Sequence, residues 1–104
     1  MPELPPVLDT FCADKLKVLA DPTRLTVLEA LLNGPQHVGQ MNERLGLEQS
    51  LLSHHLKVLR SAGLVEALRD GKKVRYQLAP EVASRGGSLD LGCCEITFRR
   101  TASG

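Results

Sequence analysis

The chain has 104 residues, 42% of them apolar and only 3% aromatic, enough for one small domain with an aliphatic core. No apolar run approaches the roughly 18 residues of a membrane span, and the opening MPELPPVLDTF lacks the basic start and apolar stretch of an export signal, so a cytoplasmic location is expected. The net charge of +1 hides an asymmetry: residues 1–50 hold four Lys/Arg against seven Asp/Glu, residues 51–104 nine against five, so the second half is the one expected to meet a polyanion.

Three cysteines are an odd count for a chain with no export signal, which predicts reduced thiols rather than a disulfide framework. A single small aliphatic core is marginal, so a homodimer that buries more surface is expected. Nothing points to an enzyme: there is no Gly-rich phosphate loop, carboxylate pair or Cys–His arrangement.

Residues 1–7 are Pro-rich and expected to be flexible. From Leu8 to Ala20, the spacing of Leu8, Phe11, Cys12, Leu16 and Leu19 predicts an amphipathic helix. Asp21-Pro22 is a helix start, with Asp as N-cap and Pro in the first turn. The helix it opens should run to about Asn33, bury Leu25, Leu28, Leu31 and Leu32, and stop at Gly34-Pro35. A shorter helix from Val38 to Leu45 and a tight Gly46-Leu47 connection lead into EQSLLSHHLKVLRSAGLV, residues 48–65.

That stretch organises the rest. Leu52, Leu56 and Leu59 form one apolar stripe, while Ser50, Ser53, His54 and Lys57, with Gln49 beside them, form a separate polar face. Hydroxyls, an amide, an imidazole and an ammonium suit phosphates and base edges in a major groove. The alternative is a solvated face on an ordinary bundle helix. His55, near the apolar stripe, is expected to pack or cap. Gly63 ends the helix.

Asp70-Gly71 between two β-type runs predicts a hairpin. In its second strand Val74, Tyr76 and Leu78 should face the core and Lys73, Arg75 and Gln77 the solvent. Arg69, Lys72, Lys73 and Arg75 crowd the tip and outer face. They form either a charged edge that resists sheet aggregation or, beside a helix-turn-helix, a wing for the DNA backbone. Beyond residue 78, Pro80–Ser84 reads as a helical turn, Gly86-Gly87-Ser88 as flexible, and Leu89–Phe98, which carries Cys93-Cys94, as a short strand or extended tail.

The element order, with Ala20-Asp21-Pro22-Thr23-Arg24-Leu25, Ser53-His54-His55-Leu56 and Leu59-Arg60-Ser61-Ala62-Gly63-Leu64-Val65, resembles the ArsR/SmtB family of metal-responsive repressors over about residues 11–78. The resemblance implies a mainly α, homodimeric winged helix-turn-helix at residues 8–78 that binds operator DNA and leaves it when an inducer binds. Residues 79–104 would then hold the inducer site and dimer contacts. It also maps major-groove reading onto Gln49, Ser50, Ser53, His54 and Lys57.

Family sites on other elements do not carry over. The first helix of the helix-turn-helix has no cysteine, and residues 79–104 have no histidine. Cys12, Cys93 and Cys94 remain, and the last two are similar to C-terminal cysteines of arsenic-sensing members. Three thiolates without histidine suit three-coordinate As(III) or Sb(III) better than tetrahedral zinc. Three alternatives stay open: Cys12 as a small buried hydrophobe, a Cys12 disulfide to Cys93 or Cys94 as a redox sensor, and Cd(II), Pb(II) or Hg(II) at the thiols.

Overall fold

A computed structural model describes residues 10–83 and 86–99. The expectations for residues 1–7, for Leu8 and for Ser84 lie outside those residues. Among the described residues, no helix is long and apolar enough to cross a membrane.

Helix α1 spans Phe11–Leu19. Its predicted apolar face is largely not in the core: Leu19 is buried, but Phe11 and Leu16 are 49% and 41% exposed. The helix lies against the side of α2 through its C-terminal end, so only the last position of the stripe reaches the interior.

Helix α2 spans Pro22–Leu31. Asp21 caps it, accepting hydrogen bonds from the backbone N–H groups of Thr23 and Arg24 at 2.8 and 3.1 Å. The Arg24 N–H bond holds the Asp21 carboxyl below its ordinary value against the opposing effect of burial, helped by the Thr23 N–H and the neighbouring His55 and Arg24. The helix ends earlier than Asn33, with Leu32 as C-cap. Its buried residues are Val27, Leu28, Ala30 and Leu31, whereas Leu25 and Leu32 pack only partly. Because α1, α3, α4 and the sheet all border α2, its buried arc is wider than the single stripe expected.

A two-residue strand not foreseen from the sequence, β1 (Gln36–His37), precedes α3 (Val38–Leu45). The Gln40 side-chain oxygen Oε1 accepts from the His37 backbone N–H at 2.8 Å, which closes the first turn of α3. Gly46, at φ +65°, ends it, and the Asn42 side-chain amide donates to the Leu47 carbonyl at 2.5 Å across the turn. Helix α4 (Gln49–Ser61) follows. It ends in a Schellman motif, with Gly63 N–H on the Arg60 carbonyl and Leu64 N–H on that of Leu59, both at 3.0 Å. Gly63 takes φ +77°, a conformation that side chains disfavour.

Strands β2 (Val65–Asp70) and β3 (Lys73–Leu78) form the hairpin, and β1 pairs with the other edge of β3. Asp70 faces Lys73 across the ladder, so Asp70 closes the strand and Gly71-Lys72 make the turn, one residue later than predicted. The expected alternation on β3 is blurred. Gln77 donates to Glu66 at 3.1 Å, and Arg75 is half-buried.

The C-terminal stretch is a second hairpin instead of one strand or a tail. It consists of β4 (Ser88–Asp90) and β5 (Glu95–Thr97), paired antiparallel with Leu89 opposite Ile96. Before it, Val82 and Ala83 both donate to the Ala79 carbonyl, at 2.9 and 3.1 Å, as one helical turn. Leu89 and Leu91 are buried, so this hairpin joins a core of Val27, Leu28, Met41, Leu52, Leu56, Leu59 and Leu64.

Candidate nucleic-acid interface and thiol cluster

On α4 the predicted division holds. Leu52, Leu56 and Leu59 are buried, and Gln49, Ser50, Ser53, His54 and Lys57 are all exposed. The Ser50 hydroxyl donates to the Glu48 carboxylate, which sets an acid at the start of this face. Leu51, 43% exposed, also stands at the outer side of the first turn. Its position off the apolar stripe was the signal for it in the sequence.

His55 is the buried histidine of the helix, at 7% exposure. Its Nδ1 accepts from Arg24 Nε at 3.1 Å, and another Arg24 nitrogen donates to the Val18 carbonyl at 3.2 Å. One guanidinium thereby joins the end of α1, the start of α2 and the middle of α4.

In the β2–β3 hairpin, Arg69, Lys72 and Lys73 are exposed. Arg75 differs from the expectation of an outward basic face. Its Nε is buried without a hydrogen bond and lies 3.6 Å from Asp70 Oδ2, an ion-pair distance. Asp70 Oδ2 is also 3.1 Å from His37 Nε2, so this carboxylate ties the hairpin tip to the entry of α3.

Cys12 meets the adjacent pair Cys93 and Cys94, far from it in sequence. Gly92, at φ +88°, donates its N–H to Asp90 Oδ1 at 2.8 Å, and Leu91 N–H donates to the Cys94 carbonyl at 2.9 Å. The resulting turn carries Cys93 and Cys94 to α1. A Cβ at Gly92 would lie 3.6 Å from the Phe11 ring, so the ring covers the turn closely.

Cys12 and Cys93 are joined by a disulfide across 81 positions, which corrects the expectation that all three thiols are reduced. Cys94 is the free thiol, its Sγ 3.8 Å from that of Cys12 and 3.9 Å from that of Cys93. All three sulfurs lie within 4.8 Å of one another. Opening the disulfide would give three soft donors, matching the low coordination number of a thiophilic ion. The first helix also reaches α4: Lys15 Nζ donates to the Ala62 carbonyl, the C-cap of α4, at 2.6 Å.

Comparison with known proteins bears on the helical part of the chain. Residues 21–67 match the family described as "Bacterial regulatory protein, arsR family", a stretch that holds α2 to the start of the wing and none of the cysteines. The HTH-type transcriptional regulator CmtR of Mycobacterium tuberculosis is 48% identical over 69 residues, covering 66% of this chain and 58% of that protein. A probable mercury resistance operon repressor of Streptomyces lividans is 44% identical over 68 residues, 64% of this chain and 54% of that protein. The chain thus spans less than two thirds of the length of these relatives. The crystal structure of M. tuberculosis Rv0081 superimposes with a TM-score of 0.64 at 42% identity, covering 67% of this chain and 71% of that one. The fold is a winged helix-turn-helix, and the chain belongs to the arsR family of bacterial regulatory proteins.

Proposed function

We propose that this protein is a dimeric transcriptional repressor that grips operator DNA with α4 and the β2–β3 wing. It lets go when As(III) or Sb(III) is bound by Cys12, Cys93 and Cys94. The observation that carries the reading is the gathering of three sulfurs within 4.8 Å on α1 and the C-terminal hairpin. The exposed polar face of α4 supports the DNA half. Gln49, Ser50, Ser53, His54 and Lys57 would face the major groove, with Leu51 able to meet a thymine methyl. Arg69, Lys72 and Lys73 would face phosphates, with Arg75 held back by Asp70.

Coupling follows from what α1 touches. One side of the helix carries Cys12, and Lys15 on the same helix caps α4. Exposed Phe11 and Leu16 give α1 an apolar surface for a second copy. An ion that fixes α1 to the hairpin would shift the spacing of two recognition helices, and a coupling of about 1–3 kcal/mol per site weakens operator affinity roughly 5–150-fold.

The disulfide favours a second reading, in which oxidation makes the same tether and the protein senses oxidants. Hg(II), Cd(II) or Pb(II) at the thiols is a variant of the first reading; the name of the Streptomyces relative connects that protein with mercury resistance. Titrating the reduced protein–operator complex with As(III), Sb(III), Cd(II), Hg(II), Zn(II) and a thiol oxidant separates these. Release by As(III) or Sb(III) at the lowest concentration, lost in Cys93→Ser/Cys94→Ser with operator binding intact, is expected. Release of that double variant at the same As(III) concentration refutes the thiol site, and absence of any preferred DNA sequence refutes the repressor.

A further inference from the structure

The thiol that the disulfide leaves over is placed to react with it. Cys94 Sγ is nearly equidistant from the two bonded sulfurs, 3.8 Å from Cys12 and 3.9 Å from Cys93. It shares a turn with Cys93, and Gly92, which opens that turn, sits at φ +88°. Small rotations within that turn bring either neighbouring sulfur onto Cys12.

We propose that Cys94 is a nucleophile toward the Cys12–Cys93 disulfide, so that the covalent tether between α1 and the C-terminal hairpin exchanges between Cys93 and Cys94. The proposal rests on the three thiols acting as one unit, the part of the functional reading it shares, and needs no DNA. Cys94 gives its proton to water, and the thiolate attacks Sγ of Cys12. A Cys12–Cys94 bond forms, the Cys12–Cys93 bond breaks, and Cys93 leaves as a thiolate that takes up a proton. One disulfide and one thiol stand on each side, so no external oxidant or reductant is consumed.

Attack on Cys93 instead would join adjacent residues through a small ring containing a planar peptide bond, which resists the closure. The Cys12 sulfur, on a separate element, imposes no such ring. Two consequences follow. The oxidised tether survives loss of either C-terminal cysteine alone and is lost with Cys12 or with both C-terminal cysteines together. A soft ion that needs three thiolates is excluded while either disulfide exists, so oxidation and ion binding compete for one site.

The test uses the full chain, oxidised separately with diamide and with oxidised glutathione, freed of oxidant and incubated in mildly alkaline buffer. Acid quenching and alkylation with N-ethylmaleimide, followed by peptide mass spectrometry, then locate the free thiol. The expected label divides between Cys93 and Cys94 in the same proportion for both oxidants. In a glutathione redox buffer Cys93→Ser and Cys94→Ser should each form the tether with equilibrium constants within about tenfold of one another, and Cys12→Ser should form none.

Label confined to Cys94, label on Cys12, or a proportion fixed by the choice of oxidant overturns the proposal. The label on the wild-type chain decides the matter even if a variant fails to fold. Divided label in a protein that never releases DNA would leave the exchange standing and remove the sensor reading; release by As(III) with label on Cys94 alone would do the reverse.

Discussion

Helices α4 and α1 are held in place by opposite means. In α4, Leu52, Leu56 and Leu59 are wholly buried, a Schellman motif fixes the end, and Arg24 clamps His55 from a neighbouring helix. In α1, a single side chain, Leu19, is buried. What fixes that helix is a disulfide at Cys12, the hydrogen bond from Lys15 and the contact of Phe11 with the Gly92 turn. On the proposed function α4 would have to match DNA in register, which needs a stiff scaffold. On the same proposal α1 would answer a chemical signal, and such elements are drawn from the less stable part of a fold. The sulfur chemistry here sits where the packing is thinnest.

Breaking the packed side should have the largest effect. Leu56→Ala should cost about 2–5 kcal/mol in urea unfolding, because it opens a cavity in a filled core. Leu16→Ala, at low concentration, should stay within about 0.5 kcal/mol. Equal losses at the two positions would erase the contrast between the helices.

Reducing the Cys12–Cys93 bond should come next, at about 2–4 kcal/mol for so long a loop. Hydrogen exchange should rise in α1 while α4 keeps its protection; a uniform rise would mean that the two helices open as one unit.

On the DNA side, Ser53→Ala should cost roughly 1–3 kcal/mol on the operator alone. Lys72→Ala with Lys73→Ala should weaken binding to all sequences and lower the salt slope by about two units. Binding isotherms across a salt series on operator and scrambled DNA separate these outcomes, and a sequence-selective loss for the lysine pair would remove it from the phosphate contacts.

The smallest effect concerns Asp21. Its folded-state value lies below the ordinary carboxylate value, because the Arg24 backbone N–H stabilises the charged form. Its contribution is therefore present above about pH 4 and fades as pH falls through the folded-state value. Asp21→Asn keeps a capping oxygen but no charge, so its melting temperature should fall short of wild type at neutral pH and converge with it in acid. A gap that persists in strong acid would trace the effect to geometry, not charge.

The sequence carried local signals well and tertiary ones poorly. Asp21-Pro22, Gly46 and Gly63 are backbone signals that act within a few residues, and α3 begins and ends at Val38 and Leu45 as expected. Strand β1 is too short to show a period, and only its pairing of Gln36 with Tyr76 makes it a strand. Spacing showed that Phe11 and Leu16 share a stripe but not whether anything in the chain covers them. The three cysteines were legible as a set because soft donors without histidine narrow the chemistry. Their union across 81 positions depends on the turn at Gly92, and a glycine beside an adjacent cysteine pair is a local signal that allows such a turn.

The sheet also furnishes an optical consequence. The chain has one tyrosine and no tryptophan, and that tyrosine, Tyr76, lies half-buried on β3 between Gln36 and Ala67. All intrinsic fluorescence of the polypeptide beyond the weak phenylalanine signal thus originates in the wing, at the strand shared by β1 and β2. Unlabelled protein mixed with DNA in a stopped-flow instrument would report the wing's own settling, separate from the docking of α4, with no dye and no substitution.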